Sequence, residues 1–530
     1  MKIAQILTIA AAGLAPWSVV AREAEPKSGD HLRRAQGNSG NGGGNGNGNG
    51  GGGNIKRKAK NECLVVLSDK QYEDHHEEEQ PVECEMQGED LNGTKYKMVK
   101  IKGIPPGYVK LNNIESGSTT IFADGSDIDD DNYELTIPNG AQIQLGNRGN
   151  GNGYGNRKGN GFSNAENEGD DFYNANSGRR LAQLGAKSLL VVRFEIQDAT
   201  TTSSETALSD SIFGTSGDPV NLKSQYARCS YNQFTFEMAT DTSHDRGALI
   251  GDDGVYTMNM PTMSIKDAAG VGVDSSVIRN AAATQGAEEF GKALSDVADY
   301  TMFCLPPGTA SGWIAYAYVN HWLSVYNDRW CEYPSAQMHE VGHNLGLAHA
   351  GEATAAYGDQ SGMMGYSYSS DDSPKMCFNG PKTYQLGWFP AYHVDLSSST
   401  SDFNWDGNLV GFAEKANAVV GVDKMIIRIQ DEVANQDIYV HFNRQLSFNS
   451  ETYEGGNQVM VATRQGGGTF YSASTLVAKL GDLGKYSYPN FRGSGKPLII
   501  EVLSMDLTTG RANVAVIFDP VEPTPAPVSP

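Results

Sequence analysis

Three histidines and a glutamate, closely spaced in the chain, carry its strongest chemical signal. Residues 336–352 read AQMHEVGHNLGLAHAGE, which places His339, Glu340 and His343 in the pattern HExxH. On a helix, side chains four residues apart lie on one face, so His339 and His343 present two imidazoles to one metal ion. Glu340 adjoins the first imidazole, where it reaches a water at that metal without being a ligand. Gly346 comes three residues after His343, where the helix must stop and the chain turn back. Glycine takes the left-handed conformation of such a turn at little steric cost. His349 then closes on the same ion, giving three protein nitrogens and an open fourth position, the donor set of a catalytic zinc site. With 10 histidines and 62 glycines in 530 residues, the whole pattern arises by accident in roughly two such chains per hundred thousand. The competing account is a buried helix whose histidines are merely hydrogen-bonded.

Neighbouring segments add to this centre. YGDQSGMMGY, residues 357–366, offers Met363 or Met364 as an apolar floor beneath the histidines, and Met364 is preferred because Gly365 follows it. Tyr366, two residues later, is a candidate donor to a developing oxyanion; a packing role fits it equally well. GWIAYAYVN, residues 312–320, reads either as an edge strand that pairs with extended substrate or as an interior strand. SPKMCFNGPKTYQLGW is expected to shape the pocket wall. His321, His393 and His441 have no partner at ligand spacing and read as structural. Asp402, Asn404 and Asp406 match the first half of a calcium loop, but position 12 is Ala413 and the acid comes one place late at Glu414. An Asx-rich turn is the preferred reading there, with Ca2+ as the weaker one.

HExxHxxGxxH followed by a methionine turn resembles the metzincins. More narrowly, HEVGHNLGLAHAGE, YGDQSGMMGYS and KMCFNGPKTYQLGWF resemble the gametolysin family, peptidase M11. The similarity is best over residues 185–390 and looser to about 519. It implies a metzincin-like catalytic domain with one zinc ion on His339, His343 and His349. It also implies catalysis by Glu340, with Met364 in the Met-turn, secretion with a propeptide, and Pro- or hydroxyproline-rich wall or matrix glycoproteins as substrates. The family's namesake has Gln at the first ligand position, whereas this chain keeps His339.

The elements that must position these residues follow from patterning. KSLLVVRFEI alternates as a strand, and residues 276–300 carry a helical repeat of Val277, Ala281, Phe290, Leu294 and Val297. From 391 to 519 the chain is a series of short β runs separated by Gly, Asn and Asp, the pattern of a β-sandwich. Residues 61–145 read as a small β-rich unit flanked by two Gly/Asn tracts, Gln36–Asn54 and Gly146–Gly161, which serve as linkers. The expected class is therefore α+β: a metzincin-like domain followed by a β-sandwich-like domain and preceded by a β-rich propeptide. The expected organisation is a signal peptide at 1–21, a propeptide at 22–180 ending at Arg179-Arg180, a catalytic domain at 181–390, a β-rich domain at 391–519 and a Pro-rich tail at 520–530.

Composition narrows the alternatives. A net charge of −22 argues against nucleic acid as a partner. After the N-terminus no run of ~20 apolar residues occurs, so no membrane span is expected once the leader is removed. Six cysteines without a CxxC pair, together with the sequon Asn92-Gly93-Thr94, fit export and disulfides, one early and two in the middle. Four middle cysteines leave three connectivities open. A thiolate of Cys63 or Cys84 at the open metal position is one account of latency. A Cys63–Cys84 disulfide is simpler, and a propeptide that only covers the cleft serves equally. The functional reading is a secreted zinc endopeptidase acting on protein or glycoprotein of the wall or matrix. The alternative is a catalytically silent extracellular adhesion or wall-binding protein on the same fold, against which the intact ligands and Glu340 argue.

Overall fold

The computed structural model describes residues 57–58, 63–72, 81–86, 97–104, 108–111, 114–123, 126–129, 133–138 and 143–147, and residues 182–518 apart from 241–248, 311, 366–371, 398–403 and 467–470. The expected signal peptide, the first Gly/Asn tract and nearly all of the second, Arg179-Arg180, the sequon and the Pro-rich tail lie outside these residues.

The early segment is built by alternation. Cys63, Val65 and Leu67 face one side of β1 (Cys63–Tyr72), and Leu64 and Val66 the other. β1 pairs antiparallel with β2 (Val82–Met86), which pairs antiparallel with β3 (Lys97–Lys102). The next long strand, β4 (Gly185–Ile196), has Leu189 to Val192 and Phe194 fully buried, as both faces of a parallel strand require. β4 pairs in parallel with β5 (Tyr300–Leu305), β5 in parallel with β7 (Leu323–Asn327), and β7 antiparallel with β6 (Trp313–Tyr318). β1 lies on the other side of β6, so one sheet runs β3-β2-β1-β6-β7-β5-β4. Helices α1 (Glu205–Phe213), α2 (Leu222–Ser230) and α3 (Ser275–Phe290) cover it.

The single helix expected over 276–300 is not formed. α3 stops at Phe290 because Gly291 takes φ +64, a left-handed cap, and a separate short turn at Leu294–Val297 leads into β5. The buried stripe is Ile278, Ala282, Ala283 and Phe290, one position on from the expected Val277 and Ala281, which are only half-buried.

Beyond α4 (Pro334–Asn344) and α5 (Gly380–Gln385), two sheets face each other. One contains β8 (Ala350–Glu352), β9 (Ile426–Asp431), β10 (Gln436–Asn443), β11 (Gln458–Gln465) and β12 (Ser474–Leu480); the other contains Trp405–Val410, Leu498–Asp506 and Arg511–Ile517. Ile427, Ile429, Ile438 and Val440 meet Leu498, Ile500, Val514 and Val516 in the apolar layer between them. Packing continues across residue 390: Phe389 stacks on Phe412 at 5.9 Å, and β8 of the histidine region pairs with β12. The architecture is α+β, mostly sheet with few helices. No helix among the described residues is long and apolar enough to cross a membrane.

Three disulfides join the cysteines: Cys63–Cys84 early, then Cys229–Cys377 and Cys304–Cys331. Cys63 and Cys84 are thereby committed, which removes the thiolate account of latency.

Burial pushes the pKa of His393 down to about 4 and that of His441 down to about 3. His441 accepts a hydrogen bond from the Gly380 N–H at 3.3 Å and stacks on Phe412, an environment that favours the neutral ring. In the unfolded chain both rings take up protons below about pH 6.5. The unfolded state therefore binds more protons than the fold, and stability falls as pH drops from about 6.5 towards 4. The melting temperature, followed against pH, is expected to be level near pH 7–8 and to fall below ~6. His441→Gln, which keeps an acceptor for Gly380, should flatten part of that fall; an unchanged acid slope would assign it to other groups.

Candidate functional site

α4 carries the chemistry and is held by its ends and its neighbours. Pro334 occupies its first turn, where a missing N–H costs nothing. At the other end the Gly346 N–H donates to the His343 carbonyl at 2.8 Å and the Leu347 N–H to the Gly342 carbonyl at 2.9 Å, with Gly346 at φ +83. These two bonds form a Schellman turn, which satisfies the last carbonyls and reverses the chain towards His349. Asn344 Nδ2 donates to the carbonyls of Tyr318 and Leu323 at 3.0 and 2.9 Å, fixing the helix beneath β6 and β7.

His339, His343 and His349 come together with their ligating atoms all within 4.8 Å of one another. His343 Nε2 and His349 Nε2 are 3.2 Å apart. His339 Nδ1 lies 2.7 Å from the Met363 carbonyl and His343 Nδ1 2.8 Å from the Leu347 carbonyl. A carbonyl only accepts, so each Nδ1 carries the proton and each Nε2 lone pair faces the shared space. Burial pushes His339 well below the ordinary histidine range, with His343 and His349 adding to the effect, and burial brings His343 to about 4. Neutral imidazoles with converging lone pairs are what a divalent zinc ion requires, and the donor set fits it. Glu340 is fully buried beside them.

Met364 lies under the helix. A Cβ on Gly342 would come within 2.6 Å of Met364 Sδ, so a side chain there would oblige Met364 to move from this position. Met363 contributes its carbonyl to His339 rather than its side chain. The 373–388 segment backs this floor: the Met363 N–H donates to the Cys377 carbonyl at 2.9 Å, and Gln385 Nε2 donates to the Gly346 carbonyl at 2.8 Å.

Residues not singled out by sequence complete the centre. Asp69 Oδ2 lies 3.0 Å from His349 Nε2 and 4.0 Å from His343 Nε2, and Gln71 Nε2 lies 2.6 Å from His339 Nε2. Tyr357 donates its hydroxyl to Asp69 Oδ1 at 3.1 Å, and its ring centre is 3.9 Å from that of His349. Burial, and then the charge of Asp69, push the Tyr357 phenol well above its ordinary range, so it stays protonated. The apolar-to-polar change along CLVVLSDKQY was the available signal for Asp69 and Gln71; Tyr357 had none.

The remaining expected residues fall elsewhere. Tyr366 and Asp402 lie outside the described residues. The calcium reading is not supported. Asp406 lies in the strand Trp405–Val410, paired to Arg511–Ile517. Asn404 Oδ1 accepts from the Phe518 N–H at 2.8 Å, and Glu414 pairs with Arg444 at 3.4 Å. His321 is buried 3.4 Å from Glu85, and His393 stacks on Tyr384.

Residues 191–449, just under half of the chain, match the family model described as gametolysin peptidase M11. Over 92 residues the chain is 36% identical to an autolysin of Chlamydomonas reinhardtii, a stretch that covers 16% of this chain and 14% of that protein. No solved structure matches the chain.

Proposed function

The chain belongs to the gametolysin family of peptidases, and on that premise we propose that it is a secreted zinc endopeptidase of metzincin type acting on wall or matrix glycoproteins. Its catalytic domain would be followed by a β-sandwich. The observation that carries this reading is the convergence of three imidazoles, two of them oriented by backbone carbonyls, beside the buried Glu340. Zinc held by His339, His343 and His349 supplies Lewis acidity to the scissile carbonyl and lowers the pKa of the attacking water.

The protein's own groups do the rest. The Glu340 carboxylate takes a proton from the attacking water and passes it to the leaving amine. The Schellman turn holds His349 in register, and Met364 sets the height of α4. β6 is paired with β7 and β1, and with β1 displaced it would offer the backbone edge along which an extended substrate pairs. Tyr357 is a protonated phenol beside His349 whose hydroxyl donates to Asp69; once Asp69 has left, it would donate to the developing oxyanion, a role that sequence suggested for Tyr366. In the processed protein Tyr357→Phe is expected to lower kcat by about 10²-fold with little change in KM. A value equal to wild type would return the role to Tyr366, tested by Tyr366→Phe.

Pro- or hydroxyproline-rich glycoprotein as substrate rests on the family resemblance. Incubating such a glycoprotein with the processed protein and identifying new termini by mass spectrometry tests the reading. Discrete internal cleavages are expected. Retention of the glycoprotein without new termini would favour the silent adhesion protein.

A further inference from the structure

We propose that Asp69 is a fourth protein ligand of the metal in the uncleaved chain, and that β1 occupies the place of substrate along β6. The inference rests on the zinc-peptidase reading above and names what keeps that site shut. Its first support is register. β1 runs antiparallel to β6 with Ser68 opposite Tyr318, Asp69 opposite Ala317, Lys70 opposite Tyr316 and Tyr72 opposite Trp313. β6 is thus interior only because β1 covers it; the edge away from β7 is the one a peptide would use.

The second support is which face the side chains take. With a period of two, Asp69 and Gln71 share the side of β1 that looks at the histidines. Asp69 is 4% exposed and accepts from the Tyr357 hydroxyl, and a carboxylate so buried is further stabilised by a cation close by. His343 gives its Nδ1 proton to a carbonyl, so its Nε2 lone pair faces the Asp69 carboxylate 4.0 Å away, and Asp69 Oδ2 lies 3.0 Å from His349 Nε2. Gln71 Nε2 donates to His339 Nε2 at 2.6 Å, so a metal entering among the imidazoles would take the place of that contact. With a metal bound, three imidazoles and a carboxylate would supply four protein donors and leave no open position for water.

The third support is that β1 is anchored independently of the metal. Ser116 Oγ accepts from the Leu67 N–H at 2.9 Å and donates to the Val319 carbonyl at 2.6 Å. Glu83 on β2 forms a buried ion pair with Arg279 of α3 at 3.0 Å and accepts from the Tyr318 hydroxyl at 3.1 Å. Cys63–Cys84 ties β1 to β2. A cut near Arg180 leaves these contacts in place, so opening the site requires departure of the β1 unit as well as cleavage.

Cobalt(II) in place of zinc gives a visible spectrum that reports ligands directly, and azide is a small anion that enters an available position. In the full chain the cobalt spectrum is expected to ignore azide. Asp69→Asn, which keeps an acceptor for Tyr357, should respond to azide and bind zinc about tenfold or more weakly against a competing chelator. Wild-type protein before and after proteolytic removal of the β1 unit gives the same comparison without a variant, the azide response appearing only after removal. An azide response of the uncleaved wild type equal to that of Asp69→Asn, or no response after removal, would overturn the proposal. Failure of either chain to take up one equivalent of cobalt or zinc would instead sink the zinc-peptidase reading itself.

Discussion

Glu340→Gln is expected to lower peptide-bond hydrolysis by the processed protein about 10²–10⁴-fold while leaving its zinc content unchanged. Glutamine has nearly the size of glutamate and can still hydrogen-bond, but it cannot take a proton from water near neutral pH. Glu340 is fully buried, so solvent supplies no ready substitute base at that position. The imidazoles keep their orienting bonds to Met363 and Leu347, neither of which involves Glu340. Metal analysis and steady-state kinetics on the same preparation separate the two effects. Activity within a few-fold of wild type would remove Glu340 from proton transfer, and loss of zinc would make it a structural support.

The second large effect is on stability. Cys229–Cys377 closes 148 residues of chain between α2 and the segment behind the Met-turn. A loop of that length is stabilised by about 3–5 kcal/mol when closed, chiefly through the unfolded chain. The bond also secures function, because the Cys377 carbonyl accepts from the Met363 N–H, and Met363 in turn orients His339. Replacing both cysteines by alanine is expected to lower unfolding free energy by about that amount and to weaken zinc binding with it. Denaturant unfolding, with chelator competition in parallel, measures both. A loss under ~1 kcal/mol would mean that core packing alone holds the Met-turn.

What the sequence revealed follows from distance along the chain. The spacing of His339, His343, Gly346 and His349 is local, and helix geometry converts it directly into a shared face and a reversal. Met364 was legible for the same reason, as the nearest methionine followed by glycine. Gly342 was passed over because its importance is a contact, not a spacing: Met364 Sδ occupies the room a side chain would need. Asp69 and Gln71 were missed for a stronger reason. Gln71 meets His339 across 268 residues, through a strand pairing that no local pattern specifies. Of the two alternatives for residues 312–320 the structure shows the interior strand, because β1 pairs with β6 on the side away from β7. The helix expected over 276–300 failed at Gly291, where a left-handed cap outweighed an apolar repeat that runs on past it. In the calcium-like segment, ladder pairing of Trp405–Val410 takes up Asp406, one of the three residues that a loop would have needed.

The most direct test of the central claim is hydrolysis of a wall glycoprotein by the processed protein as metal is removed and then restored in measured steps. Activity is expected to vanish with the metal and to return in proportion to zinc, reaching its full value at one equivalent per chain. Hydrolysis that persists after complete metal removal, or a protein that binds one zinc and still cleaves nothing once β1 has gone, would contradict it.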